Sequence, residues 1–240
     1  MPPISRDAFF NGRLRVKQLR DGYRFSIDAI LLADAVRPGP GETVVDLGTG
    51  CGIIALILAR RHPDIRVHAV EIQESLVRIA ESNVRENGMA GRIAVLRQDM
   101  RSLNPSLIPQ PVHWVVSNPP YGRIDAGRIN PDASRALARH EIAVTLTDVV
   151  AAARRLLPLS GRLAMVYPAE RLAELIDCMG AAGIAPKVLR MVHATPGSDA
   201  RRVLVTGVRG GRSGIQVAPA LYVHGPDGAY SAEVTAMFDA

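Results

Sequence analysis

Apolar residues fall in short blocks along this chain, and the blocks switch between two periods. Thr43 to Leu47 (TVVDL) is β-branched and apolar, which predicts a buried strand. Ile53 to Arg61 is apolar nearly all round, so a helix packed against a sheet is expected there. Arg66 to Val70 predicts a second strand. Between Gln73 and Asn87, Leu76, Ile79, Ala80 and Val84 recur at helical spacing, and Gly88 supplies the stop. Ile93 to Leu96 and Trp114 to Ser117 predict strands three and four, and Thr145 to Leu157 a helix. Arg162 to Val166 predicts strand five, Ala169 to Ala182 a helix, and Val188 to His193 and Val203 to Val208 two last strands. This alternation implies an α/β fold: a twisted seven-stranded sheet, mostly parallel, ending in an antiparallel hairpin and covered by helices on both faces.

The breaks are equally informative. Arg37-Pro-Gly-Pro-Gly41 separates an N-terminal piece, residues 1–40, from a core over residues 41–240. Residues 121–144 form a long charged stretch without periodicity, and loops of that length inside a domain are usually functional. The chain has 240 residues, enough for one full α/β domain. Its longest apolar stretch, Ile53 to Ala59, is too short to span a bilayer, and no apolar run follows a basic patch at the N-terminus. A soluble cytoplasmic protein with no membrane partner is expected. Cys51 and Cys178 form no CxxC pair or Cys/His cluster, so no metal site and no disulfide are indicated; both read as small apolar fillers.

Candidate chemistry begins after the first core strand. Asp46-Leu-Gly-Thr-Gly-Cys-Gly52 lies between a strand and a helix, where glycines let the backbone approach a ligand. The spacing is G-x-G-x-G, carried by Gly48, Gly50 and Gly52 with Thr49 among them, not the G-x-G-x-x-G that cradles a pyrophosphate. Glu71 closes strand two, where a carboxylate can accept both hydroxyls of an adenosine ribose. Asp46 is placed to fix the loop amides and to meet the cationic end of a ligand. Asp99, after strand three, is a candidate acceptor for an adenine amino group, and the neighbouring Ile72 and Met100 are candidates to sandwich the ring. All lie at carboxyl ends of parallel strands, where open α/β sheets bind ligands.

Strand four ends in Ser117-Asn118-Pro119-Pro120-Tyr121. Two prolines after an apolar strand stop the sheet and stiffen the turn. The exocyclic amine of a base is a poor nucleophile, because its lone pair is delocalised into the ring. The Asn118 side-chain oxygen and the Pro119 carbonyl, as two fixed acceptors, can take its hydrogens and stabilise the positive charge that develops on nitrogen. Tyr121 supplies a flat face for stacking.

Charge then suggests a partner. The net charge is +6, nearly all the basic residues are arginine, and the excess is clustered: residues 1–24 carry a net +4 and residues 187–212 a net +5. Such patches suit a polyanion. Arg123, Arg128, Arg135 and Arg139 are candidate phosphate contacts, though interleaved acids make surface ion pairs an equal reading. Arg201 and Arg202 head a late strand, so one of them is expected to face solvent or RNA.

With the glycine loop, Glu71, Asp99 and NPPY in order, the chain resembles Rossmann-like class I methyltransferases of the N6-adenine type, and is most similar to the bacterial tRNA(Val) adenosine-37 N6-methyltransferases. Gly22-Tyr-Arg-Phe-Ser-Ile-Asp28 resembles the family's segment before the glycine loop, which closes over the methionine end of the cofactor; Asp28 is carried over there. Ala138 to Glu141, Ala200 to Leu204 and Tyr222 to Ser231 resemble later stretches of the family. The resemblance implies S-adenosylmethionine as methyl donor, S-adenosylhomocysteine as its product, and tRNA or another structured RNA as substrate. NPPY also occurs in glutamine-N5 methyltransferases of proteins and guanine-N2 methyltransferases of ribosomal RNA. An NAD-dependent oxidoreductase and a non-catalytic RNA-binding module are the readings from other classes.

Overall fold

A computed structural model describes residues 4–20, 26–119 and 144–239. Two strands come first, β1 (Ile4–Phe9) and β2 (Leu14–Leu19), then α1 (Ile27–Ala35). The core follows as β3 (Thr43–Leu47), α2 (Ile53–Arg61), β4 (Arg66–Glu71), α3 (Glu74–Glu86), β5 (Ile93–Arg97) and β6 (Trp114–Ser117). After it come α4 (Leu146–Leu156), β7 (Arg162–Pro168), α5 (Leu172–Ala181), β8 (Ile184–His193) and β9 (Ala200–Arg209). Two short strands, β10 (Gln216–Val217) and β11 (Leu221–Tyr222), precede α6 (Ala232–Asp239).

The large sheet runs β10-β8-β9-β7-β6-β3-β4-β5, with β11 also on β8. The strands from β3 to β7 pair in parallel, and β9 inserts antiparallel between β7 and β8. The seven expected strands are therefore present, and the antiparallel ending is as expected. Beyond them, β10 and β11 extend the edge to nine strands; two-residue strands leave no alternation to read. The eighth strand begins four residues earlier than its pattern indicated, at Ile184, because a register shift between Pro186 and Val188 breaks its alternation. The helix expected from Ala169 opens as a 3₁₀ turn over Ala169–Arg171 before α5 begins.

Strand alternation divides the core in two. Val44, Trp114, Val116, Ala164 and Val166 face α1 and α2 on one side. Val45, Leu47, Val115, Leu163 and Met165 face α4 and α5 on the other. A sheet covered on both faces needs apolar residues at every position, which is why its strands read as unbroken runs. Among the described residues no helix is long and apolar enough to cross a membrane.

The β1–β2 hairpin lies outside this sheet and is held on α3 by two asparagines. The backbone N–H of Lys17 donates to Asn83 Oδ1 (2.8 Å), and Asn83 Nδ2 donates to the Lys17 carbonyl (2.9 Å). Asn87 repeats the pattern with Arg15, at 3.0 and 2.7 Å. Four residues of helix rise about 6 Å and two of strand about 6.7 Å, so amides four apart on α3 match backbone groups two apart on β2. The side chains act as a surrogate strand on an edge that would otherwise expose unpaired groups.

Candidate cofactor and acceptor site

The chain order reverses between β3 and β6: β4 and β5 lie on one side of β3, while β6 and β7 lie on the other. Asp46 is level with Val116 in this pairing. The glycine loop after β3 and the Asn118-Pro119 corner after β6 therefore emerge side by side. Ser117 ties them together, its hydroxyl donating to the Leu47 carbonyl at 2.9 Å, one residue before Gly48. This is the crevice position in which open α/β sheets take ligands.

Gly48, Gly50 and Gly52 all have positive φ, at 75°, 60° and 87°. This left-handed backbone is open to glycine at little cost, and it turns the loop's amides back over β4. The N–H groups of Gly48 and Thr49 both donate to the Val70 carbonyl, at 2.9 and 3.0 Å. Gly50 N–H donates to Glu71 Oε2 at 3.0 Å, and Ile72 and Gln73 N–H donate to Glu71 Oε1 at 2.9 Å each. Glu71 thus locks the loop through one oxygen and the start of α3 through the other.

Asp46 is fully buried. Its Oδ2 accepts from the Thr49 hydroxyl at 2.5 Å, and its Oδ1 has no hydrogen-bond partner. Burial pushes the carboxyl up to about 7; the Thr49 hydroxyl and, less strongly, the Ala55 N–H oppose this, and the charge of Glu71 adds to it. A buried acceptor with an empty lone pair beside a glycine loop is chemically incomplete, and a cationic ligand group completes it. At Gly50 an added Cβ would meet nothing within 4 Å, so open space lies over the loop. The residues present therefore fit a ligand with an ammonium end, and Glu71 Oε2, which accepts only from Gly50, keeps one acceptor position for a ribose hydroxyl and not the two expected.

The other site candidates behave differently from one another. The Met100 methyl reaches over Gly48, 3.6 Å from where a Cβ would stand. Asp99 holds Arg101 through both oxygens, accepting from Nε at 3.1 and 3.0 Å, from Nη2 at 2.7 Å and from the backbone N–H at 2.9 Å. The bound guanidinium keeps its carboxyl below the usual range. All four of its acceptor positions are used, so an adenine amine gains this carboxylate only when the exposed Arg101 side chain swings away. Ile72 is half-buried beside Glu71, and Asn118 is half-buried ahead of a buried Pro119.

Asp28 is buried near the start of α1 and accepts from Arg202 Nε at 3.1 Å. Arg202, one of two arginines considered for RNA, is therefore turned inward to a carboxylate, and Arg201 is the exposed one of the pair. Pro120, Tyr121, Arg123, Arg128, Arg135 and Arg139 lie outside the described residues. Burial pushes the Cys51 thiol up to about 12, consistent with a filler and not a nucleophile. Among the described residues no group of three or more His, Cys, Asp or Glu is placed to hold a metal ion.

One structural contributor escaped the sequence reading. Besides pinning β2, Asn83 Nδ2 donates to the Cys51 carbonyl at 2.8 Å. This single side chain, fully buried, joins hairpin, α3 and glycine loop. Its signal was present: a polar residue at helical spacing among Leu76, Ile79, Ala80 and Val84 must find partners inside.

Comparison with known proteins agrees with this geometry. The model of the methyltransferase small domain matches residues 24–174. A tRNA1(Val) (adenine(37)-N6)-methyltransferase of Tolumonas auensis is 34% identical over 73% of this chain and 72% of its own length. The protein of that name from Porphyromonas gingivalis is 30% identical over 95% of this chain and 91% of its own. Among solved structures, a predicted O-methyltransferase of Agrobacterium tumefaciens superposes with a TM-score of 0.72 at 24% identity, covering 88% of this chain and 95% of its own, a likeness of fold. The chain belongs to the methyltransferase small domain family, within the group of the tRNA1(Val) (adenine(37)-N6)-methyltransferases.

Proposed function

We propose that this protein transfers a methyl group from S-adenosylmethionine to the exocyclic N6 amine of adenosine 37 in a tRNA. The observation that carries this reading is the pairing of β3 with β6, which sets Asn118-Pro119 beside a glycine loop backed by the unpartnered Asp46 Oδ1. The names of the relatives supply the RNA and the position. When bound, the cofactor supplies an electrophilic methyl carbon on a sulfonium.

The chain's own residues do the rest. Asp46 Oδ1 holds the cationic amino end of the cofactor, and Glu71 the ribose. Ile72 and Met100 flank the adenine. Asp28 helps the first 40 residues wall the methionine end, supported by Arg202. Asn118 Oδ1 and the Pro119 carbonyl accept hydrogen bonds from the two N–H groups of the substrate amine, freeing its lone pair from conjugation as the new N–C bond forms and the methyl–sulfur bond breaks, its electron pair leaving with the thioether product. The methylated ammonium is strongly acidic and yields a proton to solvent, so Asn118 need not act as a base. Tyr121 stacks on the base, worth about 1–3 kcal/mol. Such an enzyme works with tRNA in the cytoplasm.

The test is Asn118→Ala, assayed with labelled cofactor and tRNA followed by nucleoside mass spectrometry. Turnover is expected to fall about 10²-fold or more, the scale of one lost charge-stabilising contact, with tRNA binding retained. Wild-type turnover in that variant, or label in a protein glutamine and none in tRNA, would overturn the reading.

A further inference from the structure

A groove of about 910 Å³ runs between the β1–β2 hairpin and α3. Arg6, Lys17, Arg20 and Arg78 line it, against one carboxylate, Glu74. That carboxylate is already neutralised from two sides, by Arg78 and by Arg97. Lys17 pairs with Glu86 at 2.8 Å. Arg6 and Arg20 are exposed and, among the described residues, have no ion pair. Arg6 also stands directly opposite Lys17 in the hairpin ladder. Like charges at opposed positions destabilise a strand pair, and the single Glu86 carboxylate, which pairs with Lys17 and also interacts with Arg6, offsets only part of this excess.

Three further features suit a phosphate chain. Ser75 and Ser82 add hydroxyl donors to the wall. The asparagine clamp pins β2 to α3, so the cations sit on a fixed frame. Finally, α3 begins three residues after Glu71, the residue that holds Gly50, so the groove starts at the ligand end of the sheet. We infer that this groove is a track for the phosphate backbone of the RNA substrate, with the exposed Arg6 and Arg20 as its principal cations. The inference rests on the proposed tRNA substrate and places part of its docking surface on the N-terminal hairpin.

The experiment compares wild type, Arg6→Ala/Arg20→Ala, the charge-keeping Arg6→Lys/Arg20→Lys, and Arg66→Ala, which removes an exposed charge at the opposite end of β4. Fluorescence anisotropy with labelled tRNA is read across salt concentrations, beside methylation kinetics and calorimetry with S-adenosylhomocysteine. The double alanine variant is expected to weaken tRNA binding about tenfold or more and to lower the salt slope by about 2, with kcat and cofactor affinity kept. The lysine pair is expected to retain most of the binding, and Arg66→Ala all of it. If the double alanine variant binds and responds to salt as Arg66→Ala does, the groove is not the track, although methylation by both would leave the proposed function standing. If the wild type methylates no tRNA adenine, the function falls, while the anisotropy still reports whether the groove takes RNA.

Discussion

Replacing Asp46 with asparagine should make the protein more stable and a poorer binder. The carboxyl is fully buried with one oxygen unpartnered, and it titrates near 7 against 3.8 when unfolded. A raised carboxyl pKa means the folded state holds the proton more tightly. Below 3.8 the group is neutral in both states and costs nothing; above about 7 it is charged in both and the full cost applies. That gap corresponds to about 4 kcal/mol, lost progressively as pH climbs from 4 to 7. In Asp46→Asn the amide oxygen keeps the Thr49 hydroxyl, while the NH₂ finds no acceptor and forgoes the weak Ala55 N–H contact, at about 1–3 kcal/mol. The net at pH 7.5 is a gain of about 1–3 kcal/mol, or roughly 2–12 °C in Tm for a chain of this size. Thermal melts of the ligand-free proteins at pH 5 and pH 7.5 read this directly, because the variant's advantage should shrink at the lower pH. Calorimetry with S-adenosylhomocysteine should show about 30-fold or more weakening, the scale of one lost buried charge contact of about 2 kcal/mol. Wild-type affinity should itself decline as Asp46 takes up its proton below pH 7. A ligand-free variant that melts below wild type at pH 7.5, or one that keeps full affinity, refutes the assignment of Asp46 to a cationic ligand group.

The remaining predictions concern the frame around that site. Asn83→Ala removes three hydrogen bonds, to Lys17 N–H, Lys17 C=O and Cys51 C=O, and should cost about 3 kcal/mol, read as a fall in Tm of about 6–12 °C. Asn83→Asp should be worse than alanine at pH 7.5, because its carboxylate faces two carbonyls, and should recover in acid; a variant insensitive to pH contradicts the clamp. Gly50→Ala should cost about 1–2 kcal/mol through its left-handed backbone alone, since its Cβ meets nothing within 4 Å. Its loss of S-adenosylhomocysteine affinity should exceed that loss of stability, because the methyl enters the space over the loop.

The sheet was legible because burial on both faces forces apolar runs, and the glycine loop because Gly48, Gly50 and Gly52 recur at alternate positions, where glycine takes a positive φ at little cost. The hairpin was not legible. Ser5, Asp7 and Gln18 share its inner side with Phe9, Leu14 and Val16, so its alternation is blurred. Helix α1 was not read as a helix at all, its segment being noted only through family resemblance: Ala29 to Ala33 are all buried, which erases the helical stripe. In the site, residue types were readable but partners were not. No local pattern shows that Arg202 turns to an acid 174 positions away, or that Arg101 occupies Asp99. The second is a local turn whose side-chain rotamer the residue types do not dictate; the first arises from which strands lie side by side, being decided by β9 entering next to β7.

That contact also bears on the order in which the molecule is completed during synthesis. Helix α1 leaves the ribosome well before β9, with a buried acid whose counter-ion lies 174 residues further along the chain. Arg61 reaches the Met237 carbonyl, and Asn11 reaches Asp239, across similar spans. The sheet's parallel half can assemble on a nascent chain, but the wall formed by α1 stays unfastened until β9 and α6 emerge. A chain cut short just before β9 would thus spare the glycine loop and the Asn118 corner, yet leave the chamber open on the side built first.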